Sequence, residues 1–123
     1  MSARRRILVI DDDVETRTAT SELLDDVGFS VSTARHGLEA LQMLRSGLRP
    51  SAMLVDLRMP VMDGEAFCRA CDADLAIRKI PRVIISSLSP GPGRVRGCKA
   101  RAFVAKPIDP AQLFDLLRRI ARA

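Results

Sequence analysis

The chain is expected to fold as an α/β domain with a doubly wound, five-stranded parallel sheet. Three observations predict this. Five short β-rich runs alternate with stretches of helical periodicity, the pattern of strands joined by helical crossovers. Several of those runs are continuously apolar, as strands covered on both faces are. The 123 residues, 47% hydrophobic and 28% charged, suit one domain with a sizeable core.

Arg6–Ile10 reads as the first buried strand. Val14–Val27 follows as a helix, with Asp13 placed to cap its start and Gly28 just past its end. Phe29–Ala34 alternates like a half-exposed strand. Leu38, Leu41 and Leu44 mark a second helix closed by Gly47. Ala52–Val55 is another buried strand, ending on Asp56. A loop with Pro60 and Gly64 leads to a third helix, Glu65 to about Asp74. Pro81 introduces the strand Arg82–Ile85, ending on Ser86, and Ala102–Ala105 is the last strand, ending on Lys106. In the final helix Asp109 is a cap, Pro110 suits the first turn and Gln112 stands at capping-box spacing. Leu113, Leu116, Leu117 and Ile120 line one face. Arg118, Arg119 and Arg122 lie at its end, where the dipole favours cations.

Between Ser86 and Phe103 the pattern weakens. Pro90-Gly91-Pro92-Gly93 breaks any helix, so a fourth helix is expected to be short or irregular, within Arg94–Ala100. Leu88–Cys98 is therefore expected to be the least ordered part of the domain.

No apolar run approaches the roughly 20 residues of a membrane span. Ile7–Ile10 is too short for a signal peptide and runs straight into acids. A cytoplasmic protein is expected. The net charge of +5 owes much to arginines at the two ends. With no Trp or Tyr and four Phe, a base-stacking surface is poorly supplied. Nucleic-acid binding is therefore not expected, and the basic residues read as solvated or as facing an acidic protein. Cys68, Cys71 and Cys98 are an odd count, which argues against a disulfide framework. Cys68-Arg-Ala-Cys71 matches C-x-x-C, and a zinc site would have to recruit Cys98 and His36. Phe67, Cys68, Cys71 and Leu75 recur at helical spacing, however, so the thiols read as small core residues. His36, between Arg35 and Gly37, reads as a solvated turn residue.

The chemistry lies at the strand ends. Ile7–Ile10 runs into Asp11, Asp12 and Asp13. Carboxylates about 4 Å apart repel by roughly 4 kcal/mol near a protein surface. Such a cluster needs the acids to diverge into solvent or a positive group to sit between them. At the carboxyl ends of the runs stand Asp11 and Asp12, Asp56, Ser86 and Lys106. In an open doubly wound sheet, ligands bind outside those ends. Clustered carboxylates suit a hard divalent cation such as Mg²⁺, which neutralises phosphate oxygens. Lys106 and Ser86 can hold phosphoryl oxygens, and an Asp can accept a phosphoryl group.

These pieces, ILVIDD, LVDLRMPVMDG, VIISS and FVAKP, resemble the receiver domain of two-component response regulators over nearly the whole chain. The resemblance implies a flavodoxin-like fold with sheet order 2-1-3-4-5. It implies that Asp56 is phosphorylated by a histidine kinase or a histidine phosphotransfer protein. Asp12 and Asp56 would ligate Mg²⁺ with the main-chain carbonyl of Arg58, and Asp11 would act mainly through bound water. Ser86 and Lys106 would bind the phosphoryl group. Phe103 matches the switch aromatic that follows Ser86, and Lys106-Pro107 matches a peptide that is cis in the family. Asp13 falls at a variable position and stays a helix cap. The implied protein is a phosphoacceptor in signal transduction that assists its own phosphotransfer and dephosphorylation, not an enzyme with a separate substrate. It switches a protein-interaction surface toward an unnamed partner.

The departures from the family pattern are Arg58, a long cation at the mouth of the site, and the broken fourth helix. The first reading is a single receiver domain, residues 1–123, with no output domain. A second is an interaction module that works without phosphorylation. A third is a phosphatase of the haloacid dehalogenase type, whose first motif, Asp-x-Asp-x-Thr/Val, is missed because Glu15 stands at the last position.

Overall fold

The computed structural model describes residues 4–87 and 97–121. Its five strands are β1 (Arg6–Ile10), β2 (Ser30–Ala34), β3 (Ala52–Asp56), β4 (Arg82–Ser86) and β5 (Ala102–Ala105). All neighbours pair in parallel, in the order β2-β1-β3-β4-β5. The helices among the described residues are α1 (Val14–Asp26), α2 (Gly37–Arg45), α3 (Gly64–Asp72) and a C-terminal helix, Pro110–Ile120. The expected short or irregular fourth helix, within Arg94–Ala100, falls partly outside the described residues, as does most of Leu88–Cys98.

Alternation along each strand builds two cores. Leu8, Ile10, Met53, Val55 and Ile84 point to one face and meet Leu41 and Leu44 of α2 and Phe67 of α3. Ile7, Val9, Leu54, Val83 and Val104 point to the other and meet Leu24 of α1 and Leu113 and Leu117 of the C-terminal helix. β3 and β4 are buried along their whole length, which is why they lack alternation in the sequence.

Local chemistry sets the element ends. Asp13 caps α1, its carboxylate accepting from Thr16 N at 3.1 Å and from the Thr16 hydroxyl. Asp63 caps α3 through Ala66 N at 2.8 Å. Asp109 caps the C-terminal helix through Ala111 N at 3.1 Å. His36 differs from its reading as a solvated turn residue. It is partly buried and caps α2, its Nδ1 accepting from Glu39 N at 3.1 Å. Leu75 also differs. α3 stops at Asp72, so Leu75 leaves the helical stripe and is exposed, and Ile77 is buried instead. Cys68, Cys71 and Cys98 form no disulfide and are fully buried in one core. A hydrogen bond with Cys98 and burial hold the Cys68 thiol far above its ordinary range, and burial pushes Cys71 up to about 11. Protonated, buried thiols are packing residues.

The loop after β3 carries strain. Met62 N–H donates to Pro60 C=O at 2.7 Å, closing a three-residue turn around Val61 at φ +69°. That conformation is rare for a β-branched residue. Val61 is 73% exposed, so its side chain returns little by burial. Val61→Gly is expected to stabilise the domain by about 1 kcal/mol, read as a higher urea midpoint. A lower midpoint would show that the turn is not strained.

Candidate functional site

Because all five strands run parallel, their carboxyl ends share one edge of the sheet. The chain leaves β1 toward β2 on one side and β3 lies on the other, so a crevice opens at this switch point. Asp11 and Asp12 follow β1, Asp56 closes β3, Ser86 closes β4 and Lys106 follows β5. The fold thus brings together the acids, hydroxyl and amine picked out in the sequence. Phe103 is partly buried on β5, opposite Ile84 of β4, and packs against the core shared with α2 and α3. The Lys106–Pro107 peptide is cis.

Asp11, Asp12 and Asp56 each offer a carboxylate oxygen within 4.8 Å of the others. Asp11 is 4% exposed and Asp56 7%, whereas Asp12 is solvent-exposed. Lys106 Nζ sits 3.0 Å from Asp11 Oδ2 and 3.1 Å from Asp56 Oδ2. The positive group between the acids is therefore, first of all, this ammonium. The backbone pins the other oxygens. Asp11 Oδ1 accepts from Asp13 N at 3.0 Å, and Asp56 Oδ1 accepts from Arg58 N at 3.2 Å. The Arg58 side chain is exposed and lines, with Asp12, Met59 and Pro60, an opening of about 440 Å³ beside the cluster.

Electrostatics show an unmet demand. Burial, and then the Asp11 charge, hold the Asp56 carboxyl above the usual aspartate range, against the hydrogen bond from Lys106. Burial works against the Lys106 charge, but hydrogen bonds and charges of Asp11 and Asp56 outweigh it and raise its pKa. One ammonium does not offset three acids. An all-oxygen donor set with surplus negative charge fits a hard divalent cation.

One contact was not legible from spacing. Arg17, one turn into α1, donates from Nη1 to the Asp11 carbonyl at 2.8 Å and so holds the acidic loop against the helix. In the sequence it is an arginine on a polar helix face, with no signal to distinguish it.

Comparison with known proteins agrees with this arrangement. The model of the response regulator receiver domain matches residues 7–118. The response regulator PleD of Caulobacter vibrioides is 39% identical over 99% of this chain, and the chain spans 27% of that protein. The transcriptional regulatory protein PrrA of Mycobacterium leprae is 35% identical over 95% of this chain, which spans 50% of PrrA. The chain therefore covers about a quarter to a half of these relatives. Among solved structures, the chemotaxis protein CheY4 of Vibrio cholerae superposes with a TM-score of 0.89 at 28% identity, covering 96% of this chain and 99% of that one. The receiver domain of a sensor histidine kinase from Pseudomonas aeruginosa, solved with magnesium coordinated in its active site cleft, gives 0.83 at 27% identity, covering 97% and 98%. No helix among the described residues is long and apolar enough to cross a membrane. With the family model spanning both the acidic strand end at Asp11 and the lysine at Lys106, the chain belongs to the response regulator receiver domain family.

Proposed function

We propose that the domain accepts a phosphoryl group on Asp56 from a phosphohistidine of a histidine kinase or histidine phosphotransfer protein, in a Mg²⁺-dependent reaction. One observation carries the reading: three carboxylates converge within 4.8 Å at one sheet edge, with Lys106 across from two of them. Asp56 is the acceptor because it closes the central strand β3 facing the Asp11–Asp12 pair, with Lys106 in contact with its Oδ2. One of its oxygens attacks phosphorus, forming an O–P bond as the N–P bond to the donor imidazole breaks. Burial excludes water from around Asp56, and Arg58 N orients the carboxylate. Lys106 then holds a phosphoryl oxygen and Ser86 donates a hydrogen bond to another. Asp12, Asp56 and the Arg58 carbonyl would hold Mg²⁺, with Asp11 acting through water. The ion supplies positive charge that neutralises the phosphoryl oxygens. Movement of Ser86 toward the phosphoryl group, with Phe103 following, would alter the protein-interaction surface.

Incubation with acetyl phosphate and Mg²⁺ is expected to add one phosphoryl group to the wild type, read by intact-protein mass, and none to Asp56→Asn. Labelling should vanish with chelator and fall sharply in Asp12→Ala. Undiminished labelling of Asp56→Asn overturns the acceptor assignment. A wild type that takes no label supports an interaction module working without phosphorylation.

A further inference from the structure

The edge of the sheet away from Asp56 carries a second charged feature. A groove of about 690 Å³ runs along the amino ends of β4 and β5, lined by Arg78, Lys79, Arg82, Lys99 and Arg101, with Asp72 the one acid among the described residues that line it. Arg82 forms its floor and is 3% exposed. Its Nη2 meets Asp72 Oδ1 at 2.7 Å and its Nε donates to the Cys98 carbonyl at 3.2 Å. Nη1 has no hydrogen-bond partner among the described residues. Asp72 is shared further, with Lys99 Nζ 3.9 Å from Oδ2. Arg78, Lys79 and Arg101 are exposed and form no ion pair among the described residues. Five cations against one twice-used carboxylate repel one another, and the folded chain gains nothing by gathering them.

We propose that this groove docks an acidic segment of a partner protein, separately from the Asp56 site. The cations come from three stretches of chain, 78–79, 82 and 99–101. That spread matches carboxylates along an extended segment rather than one compact anion. Nucleobases are poorly served, because no aromatic side chain among the described residues lines the groove. Ile80 and Pro81 add apolar contact along it. Position gives the groove a link to the other edge. Arg82 opens β4, whose far end is Ser86. Arg101 N donates to the Arg82 carbonyl at 2.8 Å, starting the β4–β5 pairing that ends beside Lys106. The groove and the site residues Ser86 and Lys106 thus stand at opposite ends of the same two strands.

The test is fluorescence anisotropy with a labelled peptide of alternating glutamate and alanine at low salt. Saturable binding is expected, weakened by about tenfold in Arg78→Glu combined with Lys79→Glu, two exposed positions. Arg118→Glu with Arg119→Glu, the same charge change on the C-terminal helix, should leave it nearly unaltered. Equal weakening in both double variants would reduce the effect to net charge and overturn the proposal, as would no binding by the wild type. Inorganic tripolyphosphate held more tightly than the peptide, and lost in the groove variant, would overturn it in favour of a phosphate site.

Discussion

Gly64→Ala is expected to destabilise the domain by about 3 kcal/mol and to slow labelling of Asp56 by at least roughly tenfold. A Cβ at Gly64 would lie 2.6 Å from the Asp56 carbonyl oxygen and 2.9 Å from Leu57 Cα. Both are backbone atoms, so no rotamer change relieves the clash. The start of α3 must move away from the end of β3, or the end of β3 must move with its acceptor carboxylate. Either shift strains the bond from Gly64 N to Leu57 C=O, 3.0 Å long, which ties the loop closed. Gly37→Ala is the graded control. Its new Cβ would meet Met62 Cγ at 2.8 Å, the Met62 carbonyl at 3.0 Å and Phe67 Cβ at 3.0 Å. The methionine side chain can swing aside, so a cost nearer 1 kcal/mol is expected. Urea unfolding orders the two variants. A Gly64→Ala protein as stable as the wild type would show that α3 packs more loosely against β3 than these distances allow.

Lys106→Ala is expected to lower stability at neutral pH by about 2 kcal/mol, less than a fully buried pair because the ammonium is partly solvated. The same change should strengthen Mg²⁺ binding by about tenfold. Lys106 Nζ occupies the space between Asp11 Oδ2 and Asp56 Oδ2, and those side chains are only 6% and 9% exposed. Without it two buried carboxylates face each other. Asp56 already titrates above its ordinary value, through burial and the Asp11 charge, and loss of the lysine raises it further. A carboxyl with a raised folded-state pKa binds more protons folded than unfolded. Its effect therefore favours the fold below the ordinary aspartate pKa and is lost as pH rises through the folded value. The deficit of the variant should accordingly grow from mildly acidic to neutral pH. Added Mg²⁺ should remove most of it, because an ion bound only by the folded state stabilises that state. A deficit independent of pH and of Mg²⁺ would mean that the lysine acts through packing and not through charge.

The fold was largely legible because its strands are short, apolar and bounded by capping and turn residues. Asp13 and Asp109 read as caps and the helices begin where they stand, while Asp63, which was not singled out in the sequence, caps α3 in the same way. His36 was misread because a histidine cap has no comparable compositional signal. Its ring nitrogen accepts only because the chain around it is extended before Glu39. Leu75 was misread because periodicity cannot tell where a helix ends, and α3 ends at Asp72 without glycine or proline to mark it.

The strand-end residues Asp11, Asp12, Asp56, Ser86 and Lys106 were determined by the sequence itself, since parallel strands must carry their carboxyl ends to one edge. So were the resemblance to receiver domains and the demand for a cation among the acids. What answers that demand in the folded chain was decided by tertiary structure. Lys106 reaches Asp11 from 95 residues away and Asp56 from 50. The same holds for Arg82, which reads as the edge of a strand and becomes a buried guanidinium only because Asp72 at the end of α3 comes within 2.7 Å. Arg17 on the Asp11 carbonyl is a third case. A local pattern specifies which residues enter a helix or strand and which face they take. Which charge meets which depends on distances between segments far apart in the chain, and these exist only once the sheet order and helix packing have set them.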